Sequence, residues 1–177
     1  MAMIASDLAL LRALYMHDLP AAISLLEEVI ALGASTFVVC GGAGVLDRTV
    51  AAGHLLVPTA AVRDEGVSYH YLPPSREVGP SLAVVAAIER TLQGHGVPYL
   101  RCKTWTTDAF YRETPDKVRL RRREGCLAVE MEAASFFAVA QFRGVPLGQI
   151  LYGGDDVSGA DWDPRAFAGR AATRERV

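Results

Sequence analysis

Pairs of cysteines, clusters of histidines, long apolar runs and an excess of charge are all missing from this 177-residue sequence. Cys40, Cys102 and Cys126 are an odd count, far apart, with no CxxC spacing. That argues against a disulfide framework and for reduced thiols in a cytoplasmic protein. His17, His54, His70 and His95 are scattered with no HxH or i, i+4 pair, so no metal site is expected. No apolar run reaches the ~18 residues that crossing a bilayer needs. No basic stretch precedes the first apolar segment, which argues against a signal peptide. A net charge of -2 and a pI near 6.1 give no electrostatic case for nucleic acid or an anionic membrane. GxSxG, P-loop and GxGxxG patterns are also absent, which removes the common hydrolase, NTPase and dinucleotide signatures.

What remains is rich in core material: 51% hydrophobic and 21% charged residues. One folded domain over residues 1–177 is expected. Ile4 to Tyr15 is apolar and ambiguous between strand and helix. Pro20 to Gly33 reads as a helix, with Ile23, Leu26, Val29 and Ile30 at helical spacing. Thr36–Cys40 is a short β-branched run of the kind buried on both faces, and it leads into Gly41-Gly42-Ala43-Gly44, read as a turn. Leu55–Val57 is a second strand closed by Pro58, followed by a polar loop from Arg63 to Pro74. A helix over Pro80–Leu92, a strand over Tyr99–Lys103 and a charged helix over Pro115–Arg123 come next. Glu130–Phe142 reads as a further helix, stopped by Gly144 and Pro146. Gln149–Tyr152 is a last buried strand, running into Gly153-Gly154-Asp155-Asp156, also read as a turn. Alternating strands and helices predict an α/β fold with a central mixed sheet flanked by helices. Ligands in such sheets bind beyond the carboxyl ends of strands.

Four groups of residues have chemical potential. Gly41 and Gly42 follow a buried strand, where backbone N–H groups can approach an anion, although a tight turn needs glycine as well. Glu130 and Glu132 precede an apolar helix. They complement its dipole, yet an apolar run before them would partly bury at least one carboxylate, which then needs hydrogen-bond donors such as sugar hydroxyls. Asp155 and Asp156 pair at a strand end, where repulsion raises one carboxyl into the range of a general acid; a capping turn is the other reading. Phe110 and Tyr111, after Thr106-Thr107-Asp108, offer faces for a planar base or simply core packing. Arg63 and His70 lie in an unusually polar, aromatic loop. Arg119–Arg123 is read as a solvated helix face.

Several segments together resemble the nucleoside phosphorylase family, on its uridine phosphorylase-like side. They are Gly53–Gly66, Ser68–Tyr71, Thr106–Tyr111, Ala128–Ala134 and Gly154–Asp156, in the family's order from about Pro20 to Ser158. Val129-Glu130-Met131-Glu132-Ala133 is the most specific. The resemblance implies cleavage of the N-glycosidic bond of a purine nucleoside by phosphate, giving free base and ribose 1-phosphate. It implies Glu132 on the ribose hydroxyls and Met131 under the sugar. Phe110, Thr107 and Glu130 fall at the base, with Asp155 as the acid that protonates it. Phosphate is a co-substrate, no cofactor is expected, and a homo-oligomer, dimer-based or hexameric, is implied.

The departures fall on one side of the site. Val39 stands where the family carries a phosphate-clamping Arg, and Gly42 where it carries Thr or Ser. Tyr15–Pro20 replaces an upstream glycine-rich loop. The family's N-terminal strands and first phosphate loop, and part of its C-terminal region, are expected to be missing. Thr114 and Asp116 stand where uridine phosphorylases carry Gln and Arg for uracil. A hydrolytic nucleosidase and a non-catalytic nucleoside-binding descendant are therefore the alternatives.

Overall fold

The computed structural model describes residues 19–165; the apolar segment Ile4–Tyr15 lies outside them. The chain runs α1 (Leu19–Ala31), β1 (Phe37–Val45), β2 (Leu55–Asp64), β3 (Glu77–Val78), α2 (Leu82–Gly94), β4 (Tyr99–Thr107), α3 (Pro115–Arg123), β5 (Cys126–Glu130), α4 (Ala133–Arg143) and β6 (Leu147–Asp156). Two single 3-10 turns, Val67–His70 and Phe110–Arg112, interrupt the loops.

The six strands lie in the order β3-β2-β4-β5-β1-β6, and β6 also pairs with β2, so five strands close into a ring with β3 on its outside. β2, β4 and β5 run parallel, as do β1 and β6, and the two groups meet antiparallel at β1–β5 and β2–β6. The expected mixed sheet is present. All five ring strands contribute to one buried cluster: Ala43, Val45, Leu56, Cys102, Ala128 and Leu151, with Val50. Small side chains dominate it because a narrow ring leaves little interior.

Helices cover separate faces. The stripe Ala22, Ile23, Leu26 and Val29 of α1 packs with Phe136, Phe137, Val139 and Ala140 of α4 over Phe37 and Leu147. Fully burying side chains such as Leu26 or Phe137 contributes ~1.5–3 kcal/mol each. Val84, Val85, Ile88 and Leu92 of α2 cover Leu55, Val57 and Tyr152. Val118 of α3 joins Trp105, Val62 and Val129. That helix is also clamped by Arg121, which donates to Asp64 and Glu124 at 2.9 Å each.

Four expectations need correction. The Gly41–Gly44 and Gly153–Asp156 segments are not turns but the ends of β1 and β6. Glycine is needed there because the strands cross closely: a Cβ on Gly44 would lie 3.0 Å from Val129 Cγ1. β2 does not stop at Pro58 but runs on to Asp64, with its pairing to β4 shifted between Pro58 and Ala60. Such an irregularity is where a strand tolerates proline. β4 likewise continues to Thr107. Glu130 ends strand β5 rather than opening a helix, and α4 begins three residues later.

Candidate active site

The ends of β4, β5 and β6 carry the polar residues that matter. Glu130, only 5% exposed, accepts four hydrogen bonds. Its Oε1 receives the Thr106 hydroxyl at 2.6 Å and the Thr104 hydroxyl at 3.3 Å. Its Oε2 receives the backbone N–H groups of Glu132 at 2.8 Å and Ala133 at 2.6 Å. Thr106 Oγ1 in turn accepts the Ala134 N–H at 3.0 Å. The orphan donors at the start of α4 are thus satisfied from β4 and β5, which is why a strand can turn into a helix within two residues. Glu130, which the family resemblance places at the base, thus already receives four protein donors.

Glu132 is different. It sits half-buried at the N-terminus of α4, and among the described residues no cation pairs with it. Burial, reinforced by the negative charge of Glu130, pushes its carboxyl up to about 8, against a hydrogen bond from the Met131 N–H. Burial also raises Glu130, and its four donors work against that rise. Met131 is half-buried beside them.

The two aspartates at the end of β6 separate cleanly. Burial acts to raise Asp156, but hydrogen bonds from Ser158 and Arg165 hold it below the usual carboxylate range. It receives the Ser158 N–H at 2.8 Å and Arg165 Nη2 at 3.0 Å, and its backbone pairs with Asp163. Asp156 is a tie point for the segment beyond β6. Asp155 is half-buried beside Gly44, where a Cβ would lie 3.5 and 3.6 Å from its two oxygens. Its Oδ2 accepts the Trp162 indole N–H at 2.6 Å. A second carboxyl, Glu113, is half-buried after the Phe110–Arg112 turn. Burial, then the charge of Asp155, pushes Glu113 up to about 7.

That turn also carries Phe110, 48% exposed, with its ring 4.0 Å from that of Tyr111. Thr107, buried at the end of β4, accepts the Ala109 N–H at 3.2 Å and so fixes where the turn leaves the strand. Arg63 is not in the expected loop but buried in β2, from which it holds the loop that follows: Nε donates to Ser68 Oγ at 2.8 Å, Nη1 to Pro73 O at 2.7 Å and Ser75 Oγ at 2.8 Å, and Nη2 to Leu72 O at 3.2 Å. Glu65 completes that network, receiving the Ser68 N–H and the hydroxyls of Ser68 and Ser135. His70 lies exposed at the end of the Val67–His70 turn.

On the side expected to hold phosphate, β1 brings no charged or hydroxyl side chain. Val39 packs against the α1–α4 cluster. Gly41 and Gly42 are mid-strand, paired to Leu151 and Tyr152 of β6. The Tyr152 ring stands 3.2–3.3 Å from where a Cβ on Gly42 would be. Two surface concavities, one lined by Glu27, Glu28, Ile30, Ala31 and Arg143 and the other by Val38, Ala87, Ile88, Thr91, Leu92 and Ile150, contain none of the residues singled out from sequence.

Sequence reasoning missed Glu113 and Trp162. Glu113 sits two residues past the Thr106–Tyr111 segment in a charged stretch with no periodicity. Trp162 lies in a polar tail. The one available signal was that Trp162 is a lone aromatic among aspartates.

A closed, mixed, helix-flanked sheet with carboxylates at the ends of its strands defines an α/β protein. Residues 14–176 match the family model of the Phosphorylase superfamily, and the chain belongs to that family. It is 32% identical over 136 residues to a guanosine phosphorylase of Halorubrum lacusprofundi, covering 74% of this chain and 54% of that one. It is 31% identical over 140 residues to a uridine phosphorylase of Treponema pallidum, covering 71% and 53%. The crystal structure of an AMP nucleosidase from Bacteroides thetaiotaomicron superposes with a TM-score of 0.68 at 26% identity, covering 81% of this chain and 62% of that one. The chain spans about half the length of the curated relatives it matches.

Proposed function

We propose that this protein cleaves the N-glycosidic bond of a purine nucleoside and releases the free base, at the rim formed by the ends of β4, β5 and β6. The observation that carries this reading is the division of labour between Glu130 and Glu132. Glu130 is saturated by protein donors and orders the start of α4. Glu132 is held beside it, half-buried and without a cation. A carboxylate in that state gains most from a ligand that brings hydroxyl donors, and a ribose brings two. The resemblance to nucleoside phosphorylases assigns Glu132 the same partner.

In this reading Glu132 holds the sugar hydroxyls over Met131. Phe110, with Thr107 fixing its turn, flanks the base, and Asp155 serves the base side. Glu130 becomes a positioning residue, not a base contact. Breaking the bond leaves positive charge on the ribosyl carbon and negative charge on the base. Fixed donors and acceptors at both ends stabilise that separation, and a placed acid adds ~10²–10⁴-fold in rate. A purine is favoured because Asp155 stands at the end of the last strand, while Thr114 and Asp116 stand where the family resemblance expects Gln and Arg for uracil.

The names of the sequence relatives make phosphate the first candidate acceptor, with ribose 1-phosphate as the product. Hydrolysis is the second reading, favoured by one observation: Val39 and Gly42 offer no side-chain donor, and the Tyr152 ring occupies the space a Thr or Ser side chain at position 42 would need. Following base release from guanosine, adenosine and uridine with and without phosphate separates the readings. Phosphate-dependent release with ribose 1-phosphate supports phosphorolysis. Phosphate-independent release with free ribose supports hydrolysis. Release from none of the three overturns the proposal.

A further inference from the structure

Glu132 can aim at a sugar only if the start of α4 holds it in place. We propose that Glu65, directly after β2, and Ser135, in the first turn of α4, are a positioning pair that aims the Glu132 carboxylate at the ribose hydroxyls. This rests on the nucleoside-cleaving reading above and adds two residues to it.

The backbone of Glu132 is fastened on both sides. Its N–H donates to Glu130 Oε2 at 2.8 Å, and its carbonyl accepts the Phe136 N–H at 2.9 Å. Glu132 therefore moves with the first turn of α4. Strands β5 and β4 hold that turn by its backbone: Glu130 takes the Ala133 N–H and Thr106 takes the Ala134 N–H. Two attachments leave rotation about the line that joins them. Ser135 supplies a third, through its side chain, by donating to Glu65 Oε2 at 2.6 Å. Successive residues of a helix point about 100° apart, so this attachment lies off that line and stops the rotation.

Glu65 is built as a fixed post. It is 6% exposed and also accepts the Ser68 N–H at 2.9 Å and the Ser68 hydroxyl. That hydroxyl oxygen receives Arg63 Nε at 2.8 Å, and the other guanidinium nitrogens hold Leu72, Pro73 and Ser75. The post is thus tied to β2 and to the loop that follows it. Packing alone does not call for the hydroxyl. Ala133 and Ala134 are as fully buried as Ser135, and a third alanine would fill nearly the same space. A buried hydroxyl–carboxylate pair carries a desolvation cost that alanine avoids; what it adds, once every member is satisfied, is a fixed direction.

The test reads the sugar. Wild-type protein and Ser135→Ala are assayed for base release from guanosine and 2′-deoxyguanosine, with Tm measured alongside. Glu65→Gln is assayed in the same way, and it decides the matter if Ser135→Ala does not fold. The 2′-hydroxyl is one of the donors assigned to Glu132, so a misaimed Glu132 harms the ribonucleoside more. On guanosine kcat/KM should fall about tenfold in either variant, and on 2′-deoxyguanosine less than about threefold. Placed in a Glu132→Ala background, Ser135→Ala should change guanosine release by less than about twofold, because the side chain it aims is gone. Equal loss on both nucleosides, a lower Tm with unchanged kinetics, or an undiminished loss in the Glu132→Ala background makes the pair structural and overturns the proposal. If wild-type protein releases no base from either nucleoside, the nucleoside-cleaving reading falls and takes this inference with it. If wild type is active and the variants match it, this inference alone falls.

Discussion

The rim at the ends of β4, β5 and β6 and the middle of the β1–β6 pair are neighbours in one sheet, yet they are built on opposite principles. At the rim, Glu130 draws Thr104, Thr106 and two backbone N–H groups into one network, and Glu132, Asp155 and Glu113 are left with carboxyl groups that the protein does not neutralise with cations. In the β1–β6 pair, Val39, Gly41 and Gly42 lie in register with Gln149, Leu151 and Tyr152, and the buried Gln149 Oε1 has no hydrogen-bond partner among the described residues. A polar network half-completed by the protein carries an energetic penalty that a ligand can relieve. β1 itself brings no charged side chain to that pair. On the proposed reading the molecule keeps the half of the site for sugar and base, and β1 brings no Arg, Ser or Thr side chain to bind an anion.

The largest effect that would break this contrast is catalytic. Replacing Glu132 by Ala should lower base release by about 10²–10³-fold, measured as kcat/KM on the preferred nucleoside, because it removes the anchor for the sugar hydroxyls. Full activity in that variant would show that the rim is not the sugar site. Next comes Glu130→Ala, which strands two hydroxyls and two helix N–H groups and should destabilise the fold by about 2–4 kcal/mol in urea titration. A loss below about 0.5 kcal/mol would mean the network is not what orders α4.

On the apolar side, Gly42→Thr should destabilise by about 1–3 kcal/mol, since the added atoms press on the buried Tyr152 ring. A neutral result there would show that the ring yields and that a hydroxyl fits after all. A further effect is pH-dependent. The Glu132 carboxyl is held near 8 in the fold against an ordinary 4.5, so the folded state binds its proton more tightly. The stability this contributes is complete below 4.5 and is lost as pH rises through about 8. Glu132→Gln should then match wild type in Tm at low pH, gain on it progressively between 4.5 and 8, and keep a constant lead above that. A Tm difference that does not change with pH would mean Glu132 is solvated like any surface carboxylate.

The helices were readable because their apolar spacing is strong: Ile23, Leu26 and Val29 fall on one buried stripe of α1, and α3 spans the residues expected of it. Strand ends were not. Gly41–Gly44 and Gly153–Asp156 read as turns because glycine breaks local propensity, and only tertiary crossing, with Val129 beside Gly44, explains glycine inside a strand. For the same reason Glu130 read as the start of a helix, since a strand that ends in a carboxylate and a helix that begins with one look alike in sequence. The buried Glu130 followed from the apolar run before it. That the charge of Asp155 acts on Glu113 did not, because no local pattern links two residues so far apart in the chain. Closure of the sheet through Leu55–Tyr152 and Leu56–Leu151 was likewise invisible to any local pattern.

The central claim is that the strand-end rim cleaves nucleosides through Glu132. It is tested most directly by measuring free base released from guanosine by the full chain and by Glu132→Ala, side by side in phosphate buffer. The account predicts steady release by the wild-type chain and a fall of about 10²-fold or more in the variant. Equal release by both, or none by either, would contradict it.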